Sequence, residues 1–351
     1  MGEFLQIDET ACENIPELSR LVTRPAHAAP LRTVVVGGGT GASVSIRALR
    51  SIGICPDAVV AMADDGGSTG LLRSRDDMTP PGDVRKCLVA LAGDPASPFA
   101  RVFSGRMPDV EDHALGNLLL AALEDECGSF PDAIAECERL LDACGHVYPS
   151  TLEHVRFVAK NEDGTIIIGQ HDASLSSSAL KRVRLSCEDG APSAYGPAID
   201  ALKNADLIVL GPGSLFTSIV PNLLIPGIPE AICESDATVV FVCSLADAQG
   251  ETRGFSVLDY FDSIERYGLR GRIDYFIAQR ERLREPTLLT MHLDEVDRVY
   301  LTSVEVQTIE QRDTRVLKRD LCNEKYQWLH DIGKLGSAFA EVVRECHSPQ
   351  K

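Results

Sequence analysis

The segment that most restricts how this chain can fold is residues 31–52. Residues 31–36 form a largely β-branched apolar run, Gly37-Gly38-Gly39-Thr40-Gly41 follows with no spacer, and residues 42–52 have helical periodicity. Strand, glycine turn and helix in direct succession open a βα unit. A continuous apolar strand belongs to a parallel sheet covered on both faces. The rhythm recurs. Residues 57–63 read as a second apolar strand, and residues 82–91, 113–123 and 131–144 repeat apolar residues at intervals of three and four. Residues 194–204 are helical in pattern. Residues 206–210 are a buried strand running into Gly211-Pro212-Gly213-Ser214. Further strands are expected at 238–244 and 273–278, with a helix near 257–267. A late strand is expected near 299–304, and a closing helix over 324–345.

One stretch breaks the rhythm. Residues 154–160 and 165–169 flank Asn161-Glu162-Asp163-Gly164, a hairpin turn, and residues 182–185 supply a third strand. The expected fold class is therefore α/β: a doubly wound, mostly parallel, Rossmann-like sheet with helices on both faces. It forms one domain over residues 31–351, with a small β-rich insertion at about 150–190. Residues 1–30 read as a flexible extension with a helix near residues 13–21. At 351 residues the chain is long enough to bury a full core unaided.

Charge narrows the partners. Thirty-four Lys and Arg against 52 Asp and Glu give −18, which argues against a nucleic-acid backbone or an anionic membrane. A small anionic ligand stays allowed where the chain supplies local donors. The eleven cysteines are scattered without a CxxC, and several, such as Cys87 and Cys243, sit in apolar runs. They read as small buried thiols in a reducing compartment, ahead of a disulfide framework or a zinc site. Residues 207–229 carry no charge and are long enough to span a bilayer, but Gly211, Pro212, Gly213, Pro221, Pro226, Gly227 and Pro229 would break such a helix. The opening residues carry acids where a signal peptide has its basic region. The expected location is cytoplasmic.

In a doubly wound sheet, ligands bind beyond the carboxyl ends of the strands, where strand order reverses. Several loops here are built for that. Gly37, Gly38, Gly39, Thr40 and Gly41 let backbone N–H groups approach a phosphate, helped by the helix start behind them. Gly37-x-Gly39-x-x-Ala42 also fits the dinucleotide fingerprint, although a tight strand–helix turn needs the same residues. Asp64 and Asp65, with Gly66, Gly67 and Ser68, offer carboxylates for magnesium or for sugar hydroxyls beside backbone donors; a solvated Asp-Gly turn is the plainer alternative. Arg73, Arg75, Arg85 and Lys86 cluster around Pro80–Asp83. Arg75 and Lys86 are assigned to ion pairs with Asp76, Asp77 and Asp83, which leaves Arg73 and Arg85 for phosphate. His113 and Asn117 share a helix face at i and i+4. Gly211, Gly213, Ser214, Thr217, Ser218 and Asn222 form a second anion-ready helix start. Two such loops suit a ligand with a diphosphate or two anionic ends. Beyond Asp64, Asp65 and His113 these loops hold no evident nucleophile or general base.

Taken together, GGGTG, ADDGGSTGLLR, PPGDVRKCLVALAGD, HALGNLLLAAL, ADLIVLGPGSLFTSIVPNLL and the Gln249-Gly250-Glu251-Thr252 turn resemble the YvcK-type gluconeogenesis factor family, from about Leu31 onward. That family belongs with the CofD-like 2-phospho-L-lactate transferases. The resemblance implies a cytoplasmic protein that binds a UDP-sugar such as UDP-glucose or UDP-N-acetylglucosamine, with a role in cell shape and wall synthesis during gluconeogenic growth. A homodimer and a protein of cell-wall synthesis are the macromolecular partners it brings into view. The transferase relatives imply a different outcome: a nucleotide-activated donor such as a GDP compound, magnesium held by Asp64 and Asp65, and a deazaflavin acceptor. A third reading, an NAD-linked oxidoreductase, rests only on the glycine fingerprint. Cys243-Ser244-Leu245-Ala246-Asp247-Ala248 departs from the family's usual stretch before the QGET turn, and the N-terminal extension exceeds the family's usual start.

Overall fold

The computed structural model describes residues 30–66, 79–107, 113–176, 178–188, 190–247, 250–280, 298–326 and 328–346. The N-terminal extension, Gly67, Ser68, Arg73 and Arg75 lie outside them. In chain order the strands are β1 (Thr33–Gly37), β2 (Asp57–Val60), β3 (Arg106–Met107), β4 (His113–Ala114), β5 (Val147–Pro149), β6 (Arg156–Asn161), β7 (Ile166–Ile168), β8 (Leu180–Ser186), β9 (Leu207–Leu210), β10 (Thr238–Val242), β11 (Tyr275–Gln279) and β12 (Arg315–Arg319).

Seven of them make one sheet in the order β12-β11-β10-β9-β1-β2-β5, and every pairing is parallel. The chain winds outward from β1 through β2 to β5. It then returns to the other side of β1 and winds the opposite way through β9 to β12. Strand order therefore reverses between β1 and β9, whose residues Thr33–Val36 run beside Leu207–Leu210. Alternate residues feed the two faces. Val35, Val60, Val209, Val242 and Ile277 join one core, packed with helices Gly39–Ser51, Gly82–Leu91 and Ile332–Cys346. Val34, Val36, Val59, Ile208, Phe241 and Phe276 join the other, with helices Ile228–Glu234 and Val257–Ile264. Burial on both sides accounts for the unbroken apolar strands. The insertion is a separate antiparallel sheet, β7-β6-β8, with the expected hairpin between β6 and β7.

Several elements differ from expectation, each for a visible reason. The late strand is β12, well after residues 299–304. Its sequence RVLKR is charged as edge strands often are, which hides it from an apolar scan. The chain instead enters helix Ser303–Glu310 there, because Thr302 and Glu305 form a capping box: the Glu305 N–H donates to the Thr302 hydroxyl, and the Thr302 N–H to the Glu305 carboxylate. The closing helix starts at Ile332 rather than 324, since Asn323 accepts the Lys325 and Tyr326 N–H groups in a turn. A helix at Pro98–Ser104, capped by Ser97, was not anticipated. His113 lies in β4, opposite Met107, and the helix begins only at Leu115.

The cysteine reading needs correction in two ways: Cys127, Cys233 and Cys346 are exposed, and Cys55 and Cys144 are joined, with Cα atoms 5.8 Å apart. They lie 89 residues apart in sequence, so spacing gives no hint. Each lies shortly before its strand, and the strands β2 and β5 are neighbours, which brings the two cysteines together. Cys87, Cys137, Cys243 and Cys322 are buried thiols, as expected. No single described helix is long and apolar enough to cross a membrane. The uncharged stretch 207–229 contains β9, a cis Gly211–Pro212 bond, a π-type turn Leu215–Ile219 and the short helix Val220–Leu223.

Candidate functional site

At the carboxyl ends of β1 and β9 the two glycine loops meet. Gly41 could carry no side chain here: its Cβ would stand 2.0 Å from the Pro212 carbonyl oxygen and 2.7 Å from the Gly213 Cα. The contact is fixed from several sides. The Ser45 hydroxyl donates to the Gly211 carbonyl at 2.6 Å, the Ser244 hydroxyl to the Gly213 carbonyl at 3.1 Å, and Asn222 Nδ2 to the Gly37 carbonyl at 3.1 Å.

A cleft of about 550 Å³ opens over this junction, within the size range of small-molecule sites. Its floor is Gly39, Thr40, Gly41, Gly213, Ser214, Thr217 and Ser218. On the β2 side the wall is Asp64, Gly66, Asp83, Lys86, Gln170 and His171. On the β10 side it is Ser244, Leu245, Glu251, Tyr260, Trp328 and His330. The centre is Gly39, whose φ of +60° suits glycine. Around the point where its Cβ would stand are Asp83 Oδ1 at 3.6 Å, Lys86 Nζ at 3.8 Å and Ser218 Oγ at 3.8 Å. Lys86 Nζ also pairs with Asp83 Oδ1 at 3.1 Å. Burial works against the Lys86 charge, but the carboxylates of Asp83 and Asp64 outweigh it and raise the pKa, so the ammonium is kept.

The structure sorts the sequence candidates. Gly39, Thr40, Gly41, Asp64, Gly66, Gly213, Ser214, Thr217 and Ser218 line the cleft. Gly37, Gly38, Gly211 and Asn222 lie behind it and hold the loops in place. Asp64 and Asp65 part company: the Asp64 carboxylate accepts the Gly66 N–H, whereas both Asp65 oxygens accept backbone N–H groups, from Gln170 at 3.0 Å and His171 at 2.8 Å. Asp65 thus anchors the short helix Gln170–Ser174, which forms part of the cleft wall. Arg85, His113 and Asn117 are each buried, and none of them lines the cleft. Arg85 Nε donates to Asn117 Oδ1 at 2.9 Å and its Nη1 to the Ser104 carbonyl at 3.2 Å. Gly67, Ser68 and Arg73 lie outside the described residues.

A resident magnesium held by the Asp64–Asp65 pair does not fit this donor set. Asp65 is turned to the helix, Asp83 is paired with Lys86, and no group of three His, Cys, Asp or Glu able to hold a metal occurs among the described residues.

Sequence reasoning missed most of the β10-side wall. Glu251 was noted only as part of a turn motif. It is 2% exposed, and Oε1 accepts the Thr217 hydroxyl at 2.6 Å. Burial pushes its pKa up to about 7, against the pull of that hydroxyl and of the Phe216 and Thr217 N–H groups. Tyr260 hydrogen-bonds Thr252 through its hydroxyl at 2.8 Å, and burial raises its pKa. His330 Nε2 donates to the Cys243 carbonyl at 3.1 Å. Burial lowers its pKa to about 4, so the ring is neutral and Nδ1 carries a lone pair. Nothing in the spacing of these residues brings them together; only the fold does.

The family profile described as 2-phospho-L-lactate transferase CofD matches residues 33–322. The chain belongs to the CofD family. Among its relatives, a gluconeogenesis factor from Halalkalibacterium halodurans is 39% identical over 255 residues, 72% of this chain and 78% of that protein. The gluconeogenesis factor of Bacillus subtilis is 31% identical over 318 residues, 90% of this chain and 98% of that one. A crystal structure of a UPF0052-family protein from Bacillus halodurans superposes with a TM-score of 0.81 at 32% identity, covering 89% of this chain and 99% of that chain. In this CofD-family chain the matched span includes all of the cleft lining except Trp328, Leu329 and His330.

Proposed function

We propose that the chain is a cytoplasmic UDP-sugar-binding factor of the gluconeogenesis-factor type. The observation that carries this reading is the convergence at Gly39. Bare backbone from two glycine loops, the Lys86 ammonium with its Asp83 partner, and the Ser218 hydroxyl surround a space at the switch point, and backbone donors with an ammonium at a helix start suit a diphosphate. Asp64, in the loop after β2, offers a carboxylate that could accept a ribose or sugar hydroxyl. On the β10-side wall Ser244, Tyr260 and the neutral His330 add hydrogen-bonding groups beside the apolar Leu245 and Trp328, a composition suited to an uncharged sugar or base. A role in cell shape and wall synthesis during gluconeogenic growth rests on the family resemblance alone.

Glu251 favours a second reading, a transferase of the CofD kind, because a carboxyl poised near neutrality serves acid–base chemistry. Calorimetric titration with UDP-N-acetylglucosamine, GDP and NAD, with and without magnesium, separates the two. Binding of the UDP-sugar without turnover is the expected result. Metal-dependent GDP binding with group transfer to a deazaflavin acceptor would replace the first reading by the second.

A further inference from the structure

The helix start behind Gly211–Ser214 has fewer donors to spare than its sequence suggests. Gly250 packs against the insertion so closely that a Cβ would stand 2.6 Å from the Ser174 carbonyl oxygen and 2.7 Å from the Ser176 N and O. The Glu251 carbonyl next to it accepts the Leu180 N–H at 2.9 Å. The turn is thus clamped, and it delivers the Glu251 side chain to the second glycine loop. There the carboxyl takes the Thr217 hydroxyl and faces the Phe216 and Thr217 N–H groups, all donors that a phosphate could use. Oε2 is buried without a hydrogen-bond partner among the described residues, and no Lys, Arg or His there lies within ion-pairing distance of the carboxyl.

The surrounding titratable groups do not supply a compensating cation. Tyr260 from helix Val257–Ile264 and Asp247 after β10 stand on the inner side. Arg253 is exposed. Across the cleft, Lys86 is paired with Asp83, with Asp64 nearby, and His330 is neutral; His171 completes the wall. Removing an uncompensated buried charge leaves one inexpensive route, protonation.

We propose that Glu251 is a built-in anion competing with the ligand for the second glycine loop, and that a nucleoside-diphosphate sugar binds at full strength only once this carboxylate has taken up a proton from solvent. The proposal rests on the UDP-sugar reading. Binding is then linked to proton uptake: an incoming diphosphate favours protonated Glu251, and affinity falls as pH rises. The diphosphate of UDP-glucose keeps its charge between about pH 6 and 8.5, so any slope there belongs to the protein.

The test is calorimetry of the full chain with UDP-glucose at several pH values, in buffers of differing ionisation enthalpy, for wild type and Glu251→Gln. Wild type should weaken by at least about fivefold from pH 6 to 8.5, with net proton uptake, since full linkage approaches about tenfold per pH unit. Glu251→Gln should give a flat profile and bind at the high-pH end as tightly as wild type at the low end. A slope that survives in Glu251→Gln, or binding without proton uptake, overturns the proposal. Should the variant not fold, the Glu251 carboxyl carbon in ¹³C-labelled wild type is titrated by NMR: a midpoint raised by UDP-glucose supports the linkage, and an unmoved one refutes it. If wild type binds no UDP-glucose at any pH, the UDP-sugar reading fails by itself. The same NMR titration with inorganic sulfate, whose charge is constant over this range, then decides on Glu251: a raised midpoint supports the competition, an unmoved one overturns it.

Discussion

The loops after β1 and β9 look alike in sequence, each a glycine-rich turn between an apolar strand and a helix start, yet their electrostatics differ. The first opens the 13-residue helix Gly39–Ser51, which has no acid in its first turn, and the carboxylate beside it, Asp83, is matched by Lys86. The second opens a short π-type turn, and its carboxylate, Glu251, has only a hydroxyl and backbone donors. One loop is balanced by a fixed cation and the other by a proton. Similar glycine motifs therefore do not imply similar anion sites. The charge brought in by distant segments decides what each loop can hold.

The contact between the loops is the most fragile point of the comparison. Gly41→Ala should cost at least about 3 kcal/mol in urea unfolding, because its Cβ overlaps backbone atoms that cannot yield. Gly37→Ala, whose Cβ would meet only the Ala42 Cβ at 3.5 Å, should change stability by less than about 1 kcal/mol. The second loop's dependence on a proton should also show in stability. The folded-state pKa of Glu251, about 7, lies above its ordinary 4.5, so the folded chain holds the extra proton between those values. Stability contributed this way is complete at low pH and is lost as pH rises through 7, by about 3 kcal/mol in all. Unfolding curves of wild type and Glu251→Gln across that range should diverge accordingly; parallel curves would remove the distinction between the loops.

Two smaller effects sharpen the assignment of cations to the first loop. Arg85→Met should lower stability by about 2 kcal/mol, since buried hydrogen bonds to Asn117 and Ser104 are lost, and leave UDP-glucose affinity unchanged by calorimetry. Lys86→Met should weaken binding: affinity should fall about tenfold, about 1.4 kcal/mol, and the melting temperature should fall as well, because buried Asp83 loses its cation. If Arg85→Met weakens binding and Lys86→Met does not, the two cations exchange roles.

The parallel sheet and the glycine floor of the cleft were legible because each depends on local pattern: unbroken apolar strands, and glycines placed directly after them; the strand order, and with it the reversal between β1 and β9, was not. What escaped depends on direction or on distance. Asp64 and Asp65 are adjacent, but successive side chains along an extended segment diverge, and only one can face the ligand. Arg85 and Lys86 posed the same choice one residue apart, and the sequence reading favoured Arg85, the residue that turns inward. The Cys55–Cys144 bond and the Glu251–Thr217 bond join residues 89 and 34 positions apart, brought together only by strand order and by a clamped turn.

The reversal of strand order has a consequence for how the chain is made. During synthesis β1, β2 and β5 emerge early, but one edge of β1 stays unpaired until β9 arrives. That delay is about 170 residues, or about 10 to 30 s at ordinary rates of elongation. Throughout it, a strand that is fully buried in the finished fold presents an open edge of the kind that templates aggregation. Before β9 docks, the floor of the cleft does not exist, so no amino-terminal fragment that ends before Ser218 could be rescued by ligand.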